Sequence, residues 1–123
     1  MKIQRLISKL EKHHKKKLDL SLGRTFNLLK KLGNPQDKLK NIVTVVGTNA
    51  KASMCYSLKS ILNQAGYKTN LYTSPHLLSY TERYIFNDKE INEEDLIELL
   101  TDVEKTLGDD NATLFEILTC AFI

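Results

Sequence analysis

Between Gly47 and Ser53 the chain reads Gly-Thr-Asn-Ala-Lys-Ala-Ser, a lysine and two hydroxyls set among small residues. It follows the apolar, β-branched run Val43-Thr-Val-Val46 and precedes helix-forming sequence. A strand that ends in a small-residue loop before a helix gathers unpaired backbone N–H groups and the positive end of the helix dipole around one point, which favours an anion and above all phosphate. Lys51 adds a mobile positive charge there, and the Ser53 hydroxyl is placed to meet a phosphate-bound magnesium. The pattern points to nucleotide chemistry. Ala50 and Ala52 stand where loops of this kind usually carry glycine.

The elements that must position this loop can be read from periodicity. Ile3, Leu6, Ile7 and Leu10 repeat at helical spacing and predict an amphipathic helix over about residues 2–14. After the connection Leu18-Asp-Leu-Ser-Leu-Gly23, a second helix is expected with Phe26, Leu28, Leu29 and Leu32 on its apolar side and Gly33 as its C-terminal cap. Ile42 to Val46 reads as a buried strand, and a helix follows from about 51 to 65, ending at Gly66. Lys68 to Thr73 is the next expected strand, completing a βαβ unit with parallel strands. Arg83-Tyr-Ile-Phe86, the turn signal Asn87-Asp88 and Lys89-Glu-Ile91 predict a short hairpin. Asn92 opens a helix with Leu96, Ile97, Leu99, Leu100 and Val103 inward, ending near Gly108. A last apolar helix opens at Thr113 and is still running at Ile123, so the sheet looks unfinished and a fragment of a longer protein is expected.

Composition narrows the function classes. At 123 residues and 41% hydrophobic, the chain suffices for one ordinary globular domain. No apolar run approaches the roughly 20 residues of a membrane span. The N-terminus leads into an amphipathic helix and not into a signal-peptide apolar core, which favours a cytoplasmic location and no membrane partner. Cys55 and Cys120 lack CxxC spacing and read as reduced, buried thiols. Residues 1–40 carry 12 Lys/Arg against 3 Asp/Glu, a net +9, whereas residues 41–123 carry 6 against 12, a net −6. The basic run Lys12-His-His-Lys-Lys-Lys17 suits either a solvated helix end or a polyanionic partner. No aromatic is interleaved with it, which argues against nucleic acid.

Four segments then occur in order: Gly47-Thr-Asn-x-Lys-x-Ser53, Tyr72-Thr-Ser-Pro-His-Leu77, Tyr80-Thr-Glu-Arg83 and Thr113-x-Phe-Glu116. Together they closely resemble the folylpolyglutamate synthase/dihydrofolate synthase family, a branch of the Mur-type ATP-dependent ligases. The resemblance runs from Leu18-Asp-Leu-Ser-Leu22 onward and includes Leu22-x-Arg24. It implies an α/β fold, the P-loop-containing, parallel-sheet, three-layer type of the Mur-ligase central domain, incomplete at the C-terminus. Residues 1–123 would be the N-terminal part of that ATP-binding domain, with 1–40 a basic helical lead-in and the C-terminal ligase domain absent.

In such enzymes ATP phosphorylates a carboxylate, and the amino group of L-glutamate attacks the acyl phosphate to form an amide. The resemblance implies ATP and Mg²⁺ as cofactors, dihydropteroate or folate as the acid, a monomer, and no nucleic-acid partner. Carried over by position, Thr48, Asn49, Ala50, Lys51, Ala52 and Ser53 fall on the ATP-phosphate segment, with Lys51 the catalytic cation. Ser53 and Ser74 fall on hydroxyls that approach the metal. Asp19, Leu20, Ser21, Leu22, His76, Arg83, Thr113, Leu114, Phe115 and Glu116 fall on segments expected to contact the acid substrate. The family's glycines on either side of the lysine are Ala50 and Ala52 here, and its later acidic metal ligand lies beyond Ile123, so the 123 residues alone are expected to be inactive.

Structural readings stand beside these. Thr113 and Glu116 have capping-box spacing. Ser74 can be a turn residue before Pro75, His76 can order its neighbours, Tyr72 can pack inward, and Asp19 can cap a turn. Arg83, expected to be partly exposed at a strand start, can pair with Glu82 or with a substrate carboxylate. The competing functions are a nucleotide- or folate-binding module without catalysis, and an interaction or nucleic-acid protein using the basic N-terminal third.

Overall fold

The computed structural model describes residues 2–13 and 21–123, which divide into two compact units, residues 1–40 with 93–123 and residues 41–92.

The first unit is helical. Helix α1, Lys2–Leu10, buries Ile3, Ile7 and Leu10, the i, i+4, i+7 stripe of its sequence, and a 3₁₀ turn, Glu11–His13, continues it. Helix α2, Gly23–Lys31, buries Leu28 and Leu29 but turns Phe26 outward. Its end is a Schellman arrangement. Gly33 takes φ +87, its N–H donates to Lys30 O at 3.1 Å, and Asn34 N–H donates to Leu29 O at 2.8 Å.

Two further helices complete this unit, α4 at Glu93–Leu107 and α5 at Leu114–Phe122. Leu10, Leu28, Leu96, Leu100, Leu107, Ile117 and Leu118 form a closed apolar interior. At its margin the buried Glu104 carboxylate accepts from Lys9 Nζ at 2.9 Å and meets His13 Nε2 at 3.0 Å. Burial opposes the charge of Glu104, but these two partners outweigh it and hold its carboxyl below the ordinary range. Lys31 Nζ caps α4 by donating to Leu107 O at 3.1 Å and pairs with Asp110 at 2.8 Å.

The second unit holds helix α3, Lys51–Gln64, and three short strands, β1 at Leu71–Tyr72, β2 at Tyr84–Phe86 and β3 at Lys89–Glu90. The sheet order is β1-β2-β3, antiparallel throughout, with Tyr72 opposite Tyr84 and Phe86 opposite Lys89. Asn87 and Asp88 both have positive φ, as a two-residue hairpin loop requires. Lys59 pairs with Asp88 at 2.5 Å, and Asn63 Nδ2 also donates to Asp88, so polar bonds tie α3 to the hairpin turn. The lysine bond leads in holding the Asp88 carboxyl below its ordinary value. Tyr84 is fully buried, with the Tyr72 ring tilted against it at 5.5 Å.

Several expectations are corrected here. Residues 42–46 run without a ladder partner among the described residues, and Ile42 and Val46 are 68% and 84% exposed. Apolar composition states a preference for burial, and burial itself needs a neighbouring strand. The parallel βαβ pairing is correspondingly not formed among the described residues, and the strand expected over 68–73 shortens to the two residues that find β2. Arg83 ends a 3₁₀ turn, Tyr80–Arg83, and is 9% exposed where partial exposure at a strand start was expected. Cys120 is buried, its thiol pushed up to about 11 by desolvation, whereas Cys55 is only half-buried. Among the described residues, no helix is long and apolar enough to cross a membrane.

Candidate functional site

The loop that enters α3 has the backbone of an anion site. Gly47 takes φ +151, a conformation that side-chain-bearing residues rarely adopt. Ala50 is the N-cap of α3 at φ +59, ψ +12, in the left-handed region, and its side chain offers no capping oxygen. The Ala50 carbonyl accepts from Met54 N–H at 2.9 Å, closing the first turn. No acceptor among the described residues meets the N–H groups of Lys51, Ala52 and Ser53. Three donors at the positive end of a 14-residue helix are therefore left for an external anion.

Lys51 Nζ folds back on the loop and donates to Gly47 O at 2.7 Å, keeping two of its three N–H groups for other acceptors. Ser53 lies in the first helical turn with its side chain exposed. Thr48 and Asn49 lie in the exposed approach to the helix. Residues 48–53, expected to form the phosphate segment, thus lie on one continuous turn.

A second cluster of the same unit gathers Ser74, His76, Tyr80 and Arg83. Arg83 Nε donates to His76 Nδ1 at 2.9 Å, and Arg83 Nη1 donates to Ser74 Oγ at 3.3 Å. The guanidinium carbon lies 5.3 Å from the centre of the Tyr80 ring, and that ring is 4.2 Å from the His76 ring. Burial, then the Arg83 charge, lowers the His76 pKa, with Glu82 acting the other way.

Glu82 is not the partner of Arg83. Its carboxylate accepts from the N–H groups of Leu77, Leu78 and Ser79 at 2.8, 2.7 and 2.7 Å, and those bonds hold it below the ordinary carboxyl range. Ser79 and Glu82 form a full capping box, which fixes the Ser74–Arg83 loop from within.

The remaining expected contacts lie in the helical unit. Thr113 is the N-cap of α5, its Oγ1 accepting from Glu116 N–H at 3.2 Å while the Glu116 carboxylate accepts from Thr113 N–H at 2.7 Å. Arg24 clamps the same carboxylate with Nε at 3.1 Å and Nη2 at 2.9 Å. Burial opposes the Glu116 charge, but Arg24 and Thr113 outweigh it and depress its pKa. Glu116 is thereby fully engaged inside the protein. Ser21, Leu22 and Phe115 are exposed, and Leu114 is half-buried. Asp19 and Leu20 lie outside the described residues.

Sequence reasoning missed the Arg24–Glu116 clamp, which joins residues 92 positions apart, and the burial of Arg83. Leu22-x-Arg24 beside Thr113-x-Phe-Glu116 was the available signal for the first. Two hydroxyl oxygens, Ser53 and Ser74, are hard donors of the kind magnesium takes alongside water and phosphate. Among the described residues, no three His, Cys, Asp or Glu gather as a metal site.

No family model matches the chain. It is 39% identical over 110 residues to the Escherichia coli dihydrofolate synthase/folylpolyglutamate synthase, covering 89% of this chain and 26% of that protein. Among solved structures it resembles E. coli FolC in complex with DHPP and ADP, with a TM-score of 0.84 and 36% identity over 97% of this chain and 28% of the other. It equally resembles the Yersinia pestis bifunctional folylpolyglutamate synthase/dihydrofolate synthase complexed with AMPPNP and Mn ion, with a TM-score of 0.84 and 34% identity over 97% of this chain and 29% of the other. The chain therefore spans about a quarter of the length of the relatives it matches, and over that span it has their α/β, Mur-ligase-type fold.

Proposed function

We propose, on the premise that over the segment it spans this chain belongs to the folylpolyglutamate synthase/dihydrofolate synthase family, that the whole protein is an ATP-dependent ligase. It joins L-glutamate to dihydropteroate, to a reduced folate, or to both, acting as a monomer. The observation that carries this reading is the turn at Ala50, which leaves the N–H groups of Lys51, Ala52 and Ser53 open at the start of α3. That turn is a phosphate cradle.

The residues take roles by their chemistry. Thr48 to Ser53 hold the ATP phosphates, and Lys51 turns its spare N–H groups to charge developing on the transferred phosphoryl group. Ser53 and Ser74 would hold a magnesium ion, which when bound would supply positive charge to offset that of the phosphates. A substrate carboxylate oxygen attacks the γ-phosphorus and ADP leaves. The glutamate amine then attacks the acyl carbon, phosphate departs with the bridging oxygen, and the amine's proton passes to solvent or a base. Leu22, Leu114 and Phe115 offer apolar surface to the acid substrate, Asp19, Leu20, Ser21 and Thr113 are assigned to the same substrate by their chemistry, and Glu116 shapes that surface through Arg24 and the cap of α5. His76 and Arg83 serve the loop that carries Ser74. Residues 1–123 form part of the ATP-binding domain, and by themselves they bind nucleotide without turning it over.

The whole protein should release ADP only when glutamate and dihydropteroate or tetrahydrofolate are both present, and Lys51→Ala should abolish that release. Nucleotide binding with no glutamate-dependent ADP release would instead favour a binding module without catalysis.

A further inference from the structure

Arg83 is a buried cation whose two hydrogen-bonded side chains are both neutral. It is 9% exposed, and among the described residues it makes no ion pair; the neighbouring Glu82 carboxylate turns instead to three backbone N–H groups. Burying a guanidinium is costly unless its donors are met, and a purely structural arginine meets them most cheaply with a carboxylate. The acceptors here are His76 Nδ1 at 2.9 Å and Ser74 Oγ at 3.3 Å, with the Tyr80 ring against the cation. Arginine cannot give up its protons, so Nδ1 must be a bare lone pair. The neutral ring then carries its proton on Nε2, which no described residue accepts. The Ser74 oxygen, used once as an acceptor, keeps its own proton and a second lone pair.

We infer that Arg83 is a positioning residue, which locks His76 in the Nε2–H tautomer and holds the Ser74 hydroxyl so that its remaining lone pair and proton face a ligand. It acts through these two groups and does not itself bind the substrate carboxylate. The role assigned to Ser74 rests on the ligase reading, whereas the tautomer of His76 does not.

Long-range ¹H–¹⁵N correlation of the His76 ring in the full chain tests this without any ligand. The wild-type ring should show Nε2 protonated and Nδ1 bare. Arg83→Met should bring a protonated Nδ1 into the population, and Arg83→Lys, which retains a donor, should largely restore the original tautomer. A wild-type ring protonated on Nδ1 overturns the inference, as does an unchanged tautomer in folded Arg83→Met. Should Arg83→Met fail to fold, the wild-type spectrum decides.

Affinity for Mn²⁺·ATP supplies the second arm. Arg83→Met and Ser74→Ala should each weaken it about tenfold, and the double variant should be no weaker than the worse single one. Fully additive losses would contradict action through Ser74. Failure of the wild-type protein to bind nucleotide would sink the ligase reading and leave the tautomer result to decide the role of Arg83.

Discussion

The two units of this chain stabilise their chemistry-bearing residues by opposite means. In the helical unit, Leu10, Leu28, Leu96, Leu100, Leu107, Ile117 and Leu118 close an apolar interior, and the segment Thr113–Glu116 is fixed on its edge by a capping box and an arginine clamp. In the second unit, α3 buries none of its residues, and Met54, Ile61, Ile42 and Val46 are exposed. There the site residues are held by polar bonds: Lys59 and Asn63 to Asp88, Glu82 to three backbone N–H groups, Arg83 to His76 and Ser74. Helix α3, none of whose residues is buried, is tied to the hairpin turn by the polar contacts of Lys59 and Asn63, and the N–H groups of its first turn meet no acceptor among the described residues.

The contrast can be broken at its strongest point. Ile117→Ala, at a fully buried position of α5, should destabilise the helical unit by about 3 kcal/mol in urea unfolding. A loss below about 1 kcal/mol would mean that this interior is not closed.

Arg24→Met comes next. It strands a mostly buried Glu116 carboxylate and should cost about 2 kcal/mol. The pH dependence has a definite sign. Glu116 and Glu104 both have folded pKa values below the ordinary 4.5, so their contribution is complete above that pH and is lost as pH falls through the lower folded values. Acid unfolding followed by helical circular dichroism should therefore begin below about pH 4.5, and Glu116→Gln should flatten the profile.

Ala50→Gly sharpens the comparison on the other side. The residue sits at φ +59, where an L side chain costs about 1 kcal/mol, and because the turn already holds this backbone, glycine should add about 1 kcal/mol of stability in urea unfolding. Ala52, inside the first turn of the helix, should gain nothing from the same change. The smallest effect is expected at Ile61, 65% exposed on α3, where alanine should cost less than about 0.5 kcal/mol in this chain.

What was legible in the sequence was local. Gly33 and Gly66 ended their helices, Asn87-Asp88 made the hairpin loop, and Thr113 and Glu116 formed the capping box, because each depends on residues a few positions apart. The turn before α3 is local in the same sense: Ala50, which stands where such loops usually carry glycine, takes a positive φ. The run 42–46 was misread because its burial depends on a strand that no nearby sequence supplies. Arg83 was misjudged for a similar reason. Its burial depends on how the loop from Ser74 folds back over it, and that loop is shaped by Glu82 gathering three N–H groups. The Arg24–Glu116 clamp joins the two ends of the helical unit and leaves no periodic trace.

The most direct test of the central claim is an ¹H–¹⁵N titration of this chain with Mg²⁺·ATP. The amide signals of Lys51, Ala52 and Ser53 should move first and furthest, and Lys51→Ala should suppress those movements. Binding that shifts amides elsewhere and leaves these three unmoved, or no binding at all, would contradict the assignment of this turn as the phosphate cradle.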